Sequence, residues 1–233
     1  MIELITNIGL LSAVMYLLIL LYLIIGIIRT KTELTDEQPF VSVIVAAHNE
    51  GQNIKACLDA LLNQDYSQGK MEIIIVNDRS EDDTGLIVNK YEKNNTLIRV
   101  LTISDCVLGL SPKKNALTHG INIANGEIIA VIDADCRAPI QWLKKGVSYF
   151  TPETGMVVGL APLNPTSWWM SPLMCVDAIV GGITAYGSLA WNHAVTCTGR
   201  NLFYRKKLFE EIRGYSGIDH ILMGDDDLLM MKV

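Results

Sequence analysis

Leu4 to Ile28, 25 consecutive residues, carry no charge. A helix that crosses a bilayer needs about 20 predominantly apolar residues, and only a segment that satisfies its own backbone can lie in hydrocarbon. The run therefore predicts one transmembrane helix, with residues 1–31 forming an N-terminal anchor. A cleaved signal peptide would start on basic residues, hold a shorter apolar core and end at a small-residue cleavage site. Here Glu3 precedes the run and Arg29-Thr30-Lys31 follows it. Arg29 and Lys31, with no Lys or Arg before the run, put the C-terminal flank in the cytosol by the positive-inside rule. A buried core helix is the rival reading, and the length and all-round apolarity of the segment disfavour it.

Thr32 to Pro39 is polar and acidic and ends in proline, which stops a helix, so residues 32–39 read as a linker. Residues 40–233 then have the length of one domain with a core of ordinary size. The net charge of −6 and pI near 5.2 come without a basic stripe interleaved with aromatics, which argues against nucleic acid as a partner. Five cysteines, Cys57, Cys106, Cys136, Cys175 and Cys197, are odd in number and form no Cys-x-x-Cys, so free thiols in a reducing compartment are expected. His48, His119, His193 and His220 lack zinc-ligand spacing, which leaves hydrogen bonding as the expected role of each.

Strand and helix patterns alternate through this domain. Strands are expected at Val41–Ala47, Glu72–Val76, Leu97–Ile103, from Ile128, and at Met156–Leu160. Helices are expected over Ile54–Leu62, around Leu86, Ile87 and Tyr91, and over Lys113–Ala124, Pro139–Phe150 and Lys206–Arg213, the last ended by Gly214. Such alternation predicts an α/β fold with a mostly parallel sheet and helices on both faces. Trp168 to Ala190 carries one charge, Asp177, and is interrupted by Pro172, Gly181, Gly182 and Gly187. It reads as a core or membrane-surface helix rather than a second span, with Trp168 and Trp169 suited to an interface. Leu228 to Val233 begins an apolar pattern without a cap, so the C-terminal part of the domain is expected to be missing.

The chemistry gathers at the ends of the strands. The apolar run after Gly126 stops on Asp133 and Asp135, which strand alternation points to one side. Open α/β sheets place ligands at such carboxyl ends, and paired hard oxygens suit Mg2+ or Mn2+ carrying a phosphate. By itself Asp-x-Asp more often closes a strand and opens a turn. His48-Asn49-Glu50 after the first strand is not Gly-x-Gly-x-x-Gly, which leaves a dinucleotide site little support. After the second strand Ser80, Asp82 and Asp83 suit a helix start, while Asp78 stands before it, available to a ligand.

Taken in order, the Asn-Glu loop, the Asp-x-Ser-x-Asp-x-Thr loop, Lys113-Lys114-Asn115-Ala116-Leu117, Asp-x-Asp and the late acids Asp225-Asp226 resemble family 2 inverting glycosyltransferases of the GT-A nucleotide-diphospho-sugar transferase fold. The resemblance runs over residues 39–233. It implies that Ala47, Asn49 and Glu50 line the nucleotide pocket, that Asp78 accepts hydrogen bonds from the base, and that Lys113 sits near the nucleotide or its phosphates. Asp133 is then implied at the ribose or sugar and Asp135 at the metal, Mg2+ or Mn2+. Arg200, Asn201 and Asp225 are implied near the donor sugar and acceptor, and Asp226, or Asp227 by a one-residue shift, as the general base. Asn77 stands where the family commonly has an acid, and Pro112 where it often has glycine before the lysine, with Lys114 a neighbour able to substitute. The Gln-x-x-Arg-Trp motif of polysaccharide-building members is absent from this sequence.

The expectation is a membrane-anchored inverting glycosyltransferase, catalytic domain in the cytosol. It takes a nucleotide-diphospho-sugar, uridine-linked in the first instance, to a lipid-linked or glycan acceptor in cell-envelope or polysaccharide synthesis. Two alternatives stand beside it. One is a catalytically incomplete fragment or subunit that keeps nucleotide binding. The other, a sugar nucleotidyltransferase, would want a basic Gly-rich loop after the first strand.

Overall fold

The computed structural model describes residues 1–30, 33–105, 107, 109–163, 167–191 and 193–233. Lys31 of the expected cytosolic flank, Thr32 of the linker and Cys106 lie outside the described residues. The chain divides into two compact units, one of Met1–Thr32 with Leu160–Cys197 and one of Glu33–Gly159 with Thr198–Val233. The sequence reading kept residues 160–197 within the domain at 40–233.

The larger unit is built on a six-stranded sheet of β1 (Val41–Ala47), β2 (Met71–Asp78), β3 (Ile98–Ile103), β4 (Ile128–Val131), β5 (Met156–Val158) and β6 (Leu202–Arg205), in the order β3-β2-β1-β4-β6-β5. The first four are mutually parallel, while β6 runs antiparallel to both β4 and β5. Its helices are α2 (Ile54–Leu62), α3 (Thr84–Asn94), α4 (Pro112–Asn122), α5 (Trp142–Val147), α7 (Lys206–Glu211) and α8 (Asp227–Met230). Every residue of β1 except Ala46, and all of β2, is buried, as continuous Val and Ile runs demand of strands covered on both faces. Alternation divides the core in two. Val43, Val45, Ile73 and Ile75 face α2 and α5 on one side, and Ile44, Ile74 and Val76 face α4 on the other.

Glycines set two of these approaches. A methyl on Gly120 of α4 would sit 2.8 Å from the Ile44 side chain, and one on Gly146 of α5 would lie 2.3 Å from the Phe203 ring. Helix and sheet therefore meet more closely there than a larger residue permits.

The sequence placed the strands β1 to β5 and missed β6. Helices end earlier than expected in two places, since α5 covers only part of 139–150 and α7 stops at Glu211, before the expected Arg213.

The smaller unit holds α1 (Ile2–Arg29) and α6 (Ser171–Leu189). Gly26 and Gly187 meet backbone to backbone, so that a Cβ on Gly26 would lie 2.0 Å from the Gly187 carbonyl oxygen. Beside this crossing the Tyr22 and Trp191 rings stack with centroids 5.1 Å apart, and the Arg29 guanidinium lies 5.1 Å from the Trp191 ring centre. Trp191 Nε1 donates to the Tyr22 carbonyl at 3.2 Å, and the Tyr22 hydroxyl lies 3.0 Å from His193 Nδ1. The helix expected across 168–190 is present, but the exposure of Leu173, Val176, Ile179 and Val180 removes the core-helix reading.

Candidate active site

Strand order reverses between β1 and β4, so the chain leaves these neighbours in opposite directions and opens a crevice at their carboxyl ends. The loops after β1, β2 and β4 border that crevice, and Ala47 lies at the end of β1, buried and paired with Asn77 of β2.

The first two loops are knitted together. Asn49 adopts φ +56°, in the left-handed region that Asn tolerates. Its amide donates to Ser80 Oγ at 3.0 Å and its side-chain oxygen accepts from the Glu81 amide at 2.8 Å. Glu50 N reaches Thr84 Oγ1 at 2.7 Å, and Gly51 N reaches Asp82 Oδ2 at 2.9 Å. Hydrogen bonds from Thr84, side chain and backbone, and from Gly51 hold the Asp82 carboxyl below its ordinary range. His48 Nδ1 lies 2.6 Å from the Asp78 carbonyl, which can only accept, so the proton is on Nδ1 and Nε2 accepts from Asn49 Nδ2 at 3.2 Å. Of the residues assigned to the nucleotide pocket, Asn49 thus spends its side chain on shaping the loop, while the Glu50 carboxylate accepts from Asn53 Nδ2.

Asp78 is 4 % exposed, and Arg79 Nε and Nη2 bind its two oxygens at 2.8 and 3.0 Å. Each carboxylate oxygen keeps a further lone pair for another donor. Arg79 itself sits at φ +52°. The carboxamide oxygen of buried Asn77 has no hydrogen-bond partner among the described residues.

After β4 the backbone departs from expectation. β4 ends at Val131, and Cys136 N donates to the Asp133 carbonyl at 3.0 Å, so Asp133 and Asp135 stand in a turn instead of an extended strand. Alternation therefore does not set their directions. Lys113 Nζ lies 2.9 Å from Asp133 Oδ1 and 3.0 Å from Asp225 Oδ2. Burial works to lower the Lys113 pKa, but the two carboxylates outweigh it and hold the ammonium above its ordinary value.

Asp226 caps α8 by accepting from the Asp227 amide at 2.8 Å, and its other oxygen accepts from Gly199 N at 2.7 Å. A Cβ on Gly199 would be 3.0 Å from Asp225 Oδ2 and 3.5 Å from Asp226 Oδ2, so the Thr198–Asn201 turn lies directly on the acidic pair. Arg200 Nε donates to Thr198 Oγ1 at 3.3 Å. Asn201 faces elsewhere: its side-chain oxygen accepts from Trp142 Nε1 at 2.8 Å, which supports the turn from behind.

Lys114 was expected as a substitute for Lys113, and the structure corrects this. It is 1 % exposed, and its Nζ donates to the carbonyls of Ile218, Ile221 and Met223 at 2.9, 2.8 and 2.9 Å. Helical spacing turns it about 100° from Lys113. Ser111 adds bonds from its amide to the Asp219 carbonyl and from its hydroxyl to the Leu222 carbonyl. Segment 218–223, which leads through Gly224 (φ +73°) into Asp225, is thereby pinned to the start of α4.

Among the described residues no group of three His, Cys, Asp or Glu side chains forms a ready metal cage. The donors at the turn still suit a divalent ion. Asp135 is exposed and, among the described residues, accepts from the Cys136 thiol as a weak donor at 3.5 Å, and Mg2+ is commonly held by one or two carboxylates with substrate phosphates and water. Burial first, then Asp135 and Asp133, push the Cys136 thiol up to about 12, with Arg200 pulling the other way. Among the described residues Cys57, Cys136 and Cys175 form no disulfide. A cavity of about 360 Å³ between α4 and α7 is lined by Thr118, Lys206, Arg213 and Tyr215 and includes none of the expected site residues except the neighbour Lys114.

A mostly parallel sheet with an acidic turn after β4 and an acidic pair before α8 defines the class of GT-A α/β folds. Solved structures agree on the fold. The mannosyltransferase PcManGT from Pyrobaculum calidifontis, in complex with GDP-Man and Mn2+, superposes with a TM-score of 0.67 at 23% identity, over 88% of this chain and 56% of that one. S. aureus TarS in complex with UDP gives 0.62 at 19% identity, over 82% and 54%. The profile of Glycosyl transferase family 2 matches residues 42–213, and the chain belongs to that family. Among its relatives, the probable glycosyltransferase YdaM of Bacillus subtilis is 31% identical over 84% of this chain and 47% of its own length. Glycosyltransferase AglE of Haloferax volcanii is 36% identical over 49% and 36%, and the beta-monoglucosyldiacylglycerol synthase of Trichormus variabilis 36% over 53% and 26%. The chain thus spans less than half the length of these curated relatives.

Proposed function

We propose that the protein is an inverting glycosyltransferase that moves a sugar from a nucleotide-diphospho-sugar to a hydroxyl acceptor, with its domain anchored to the cytosolic face of a membrane by α1. The observation that carries this reading is the Lys113 bridge, which joins the turn after β4 to the acidic pair before α8. In the proposed reaction the acceptor oxygen attacks the anomeric carbon, the carbon–oxygen bond to the diphosphate breaks, and the acceptor proton passes to Asp226. One displacement inverts the anomeric centre. Asp226 keeps two lone-pair positions beyond its bonds to Gly199 and Asp227, enough to receive that proton.

The β1 and β2 loops, with Ala47, Asn49, Glu50 and Asp78, form the floor for the nucleotide in this reading. Lys113 then exchanges Asp133 for a phosphate, freeing that carboxylate for the ribose or sugar. Asp135, with Asp133 beside it, would hold Mg2+ or Mn2+, which as a Lewis acid stabilises the charge left on the departing diphosphate. Asp225 holds the far side of Lys113, while Arg200 and Asn201 border and brace the acceptor side.

The solved relatives bind GDP-Man in one case and UDP in another, so both bases belong in the first screen, uridine first. A relative named as a glucosyldiacylglycerol synthase supports a lipid-linked acceptor, and so does the anchor. The orientation rests on Arg29 and Lys31 at the C-terminal flank. The test incubates the detergent-solubilised chain with UDP- and GDP-sugars and a membrane lipid extract and follows the anomeric proton by NMR. Transfer with inverted configuration, lost in Asp226→Asn, is the expected result. Retained configuration, or turnover undiminished in Asp226→Asn, refutes the mechanism. Binding without turnover favours the incomplete-fragment alternative.

A further inference from the structure

The helix pair carries more than one anchor. We propose that α6 is a second lipid-facing element, lodged in the bilayer at the C-terminal end of α1, so that two helices hold the membrane where the sequence reads one. The inference rests on α1 being a membrane helix, and four observations on the smaller unit support it.

The first is where α1 is covered. Only Tyr22, Leu23, Gly26, Ile27 and Thr30 are partly or wholly buried, while residues 2–21 are exposed along the whole helix. At 1.5 Å per residue the 28 residues reach about 42 Å, more than the roughly 30 Å of hydrocarbon. Gly26, one turn from the end of α1, therefore falls near the boundary of acyl chains and headgroups.

The second is the nature of the contact. Gly187 and Gly26 touch through backbone, and a Cβ on Gly187 would come 2.8 Å from the Leu23 carbonyl oxygen. Burying apolar area does not drive helices together inside lipid, and close backbone approach at small residues is what does. A helix held this tightly to the end of α1 shares its solvent.

The third is the belt beside the crossing. The Trp191 ring meets both the Tyr22 ring and the Arg29 guanidinium, and amphipathic rings and an arginine with a long stem are the side chains that settle between headgroups and acyl chains.

The fourth is the face that α6 turns outward. Leu173, Met174, Val176, Ile179, Val180 and Ile183 are between 45 and 62 % exposed, with Asp177 the one charge in the helix. In water this would be an uncovered apolar patch. Acyl chains cover its apolar residues, while Asp177, exposed on the same face, needs headgroups or water beside it.

The experiment uses the unmodified full chain in phosphatidylethanolamine and phosphatidylglycerol vesicles carrying a phospholipid with a diazirine in its acyl chain. After irradiation, adducts are mapped by mass spectrometry. The proposal expects adducts in both α1 and α6, with none in α3. Adducts in α1 but none in α6 overturn it and leave the anchor intact. No adducts in α1 would sink the anchor reading and the proposal with it. Ile179→Asp with Ile183→Asp, both at exposed sites, is expected to cut α6 labelling at least tenfold while α1 labelling is unchanged. Equal α6 labelling in that variant also overturns the proposal.

Discussion

The Lys113 ammonium bridges Asp133, 2.9 Å away, and Asp225, 3.0 Å away, so a single cation joins the turn after β4 to the acidic pair before α8. Removing it leaves like charges facing one another and takes away the cation assigned to the phosphates. Lys113→Met is expected to lower turnover about 100-fold, the order of loss when one preorganised stabilising group is deleted, and to raise the KM for the donor. Lys113→Arg should recover part of it. Steady-state kinetics on the two variants checks this, and unchanged kinetics in Lys113→Met would remove Lys113 from the site.

Asp226 is bound by two backbone amides and remains open to a third donor. Asp226→Asn keeps the shape and loses the proposed proton acceptor, so turnover should fall by about 10²- to 10⁴-fold while donor affinity stays within a factor of about three. Calorimetric donor binding beside single-turnover transfer separates the two effects.

Lys114 is a structural cation. Lys114→Met would leave the carbonyls of 218, 221 and 223 without their donor, at a cost of about 1–3 kcal/mol for each that stays dry. A fall in melting temperature of several degrees is expected, at about 2–4 °C per kcal/mol for a chain of this size, with turnover reduced because Asp225 and Asp226 follow the loosened segment. Scanning calorimetry reads the first and transfer assays the second.

Glu72 gives the larger unit an acid-sensitive point. Burial raises its pKa, but hydrogen bonds from Ser42, from the Asn125 backbone and side chain, and from Arg99 outweigh it, so the folded value lies below the ordinary one. A depressed carboxyl contributes stability fully above its unfolded pKa of about 4.3 and loses it as pH falls through the lower folded value. Urea midpoints at pH 7 and pH 3 should therefore differ more in the wild type than in Glu72→Gln.

Much of the fold could be read locally. The Val and Ile runs of β1 and β2 are buried on both faces, and burial of that kind writes itself into composition. β6 escaped because its four residues become a strand only by pairing with β4 and β5. The acids at 133 and 135 were found as residues and misjudged in posture, since β4 stops two residues before Asp133 and alternation ceases there. Neither the Lys113–Asp225 bridge nor the burial of Lys114 leaves a local signal. Both depend on segment 218–223 folding back over α4, and a lysine with three carbonyls to satisfy it is indistinguishable in sequence from one in water.

The most direct measurement is a calorimetric titration of the solubilised chain with UDP and with GDP, each with and without Mn2+, alongside Asp135→Asn. The account predicts metal-dependent binding of one nucleotide that Asp135→Asn weakens by at least tenfold. Folded wild-type protein that binds neither nucleotide with Mn2+ present, or a variant that binds as tightly as wild type, would contradict it.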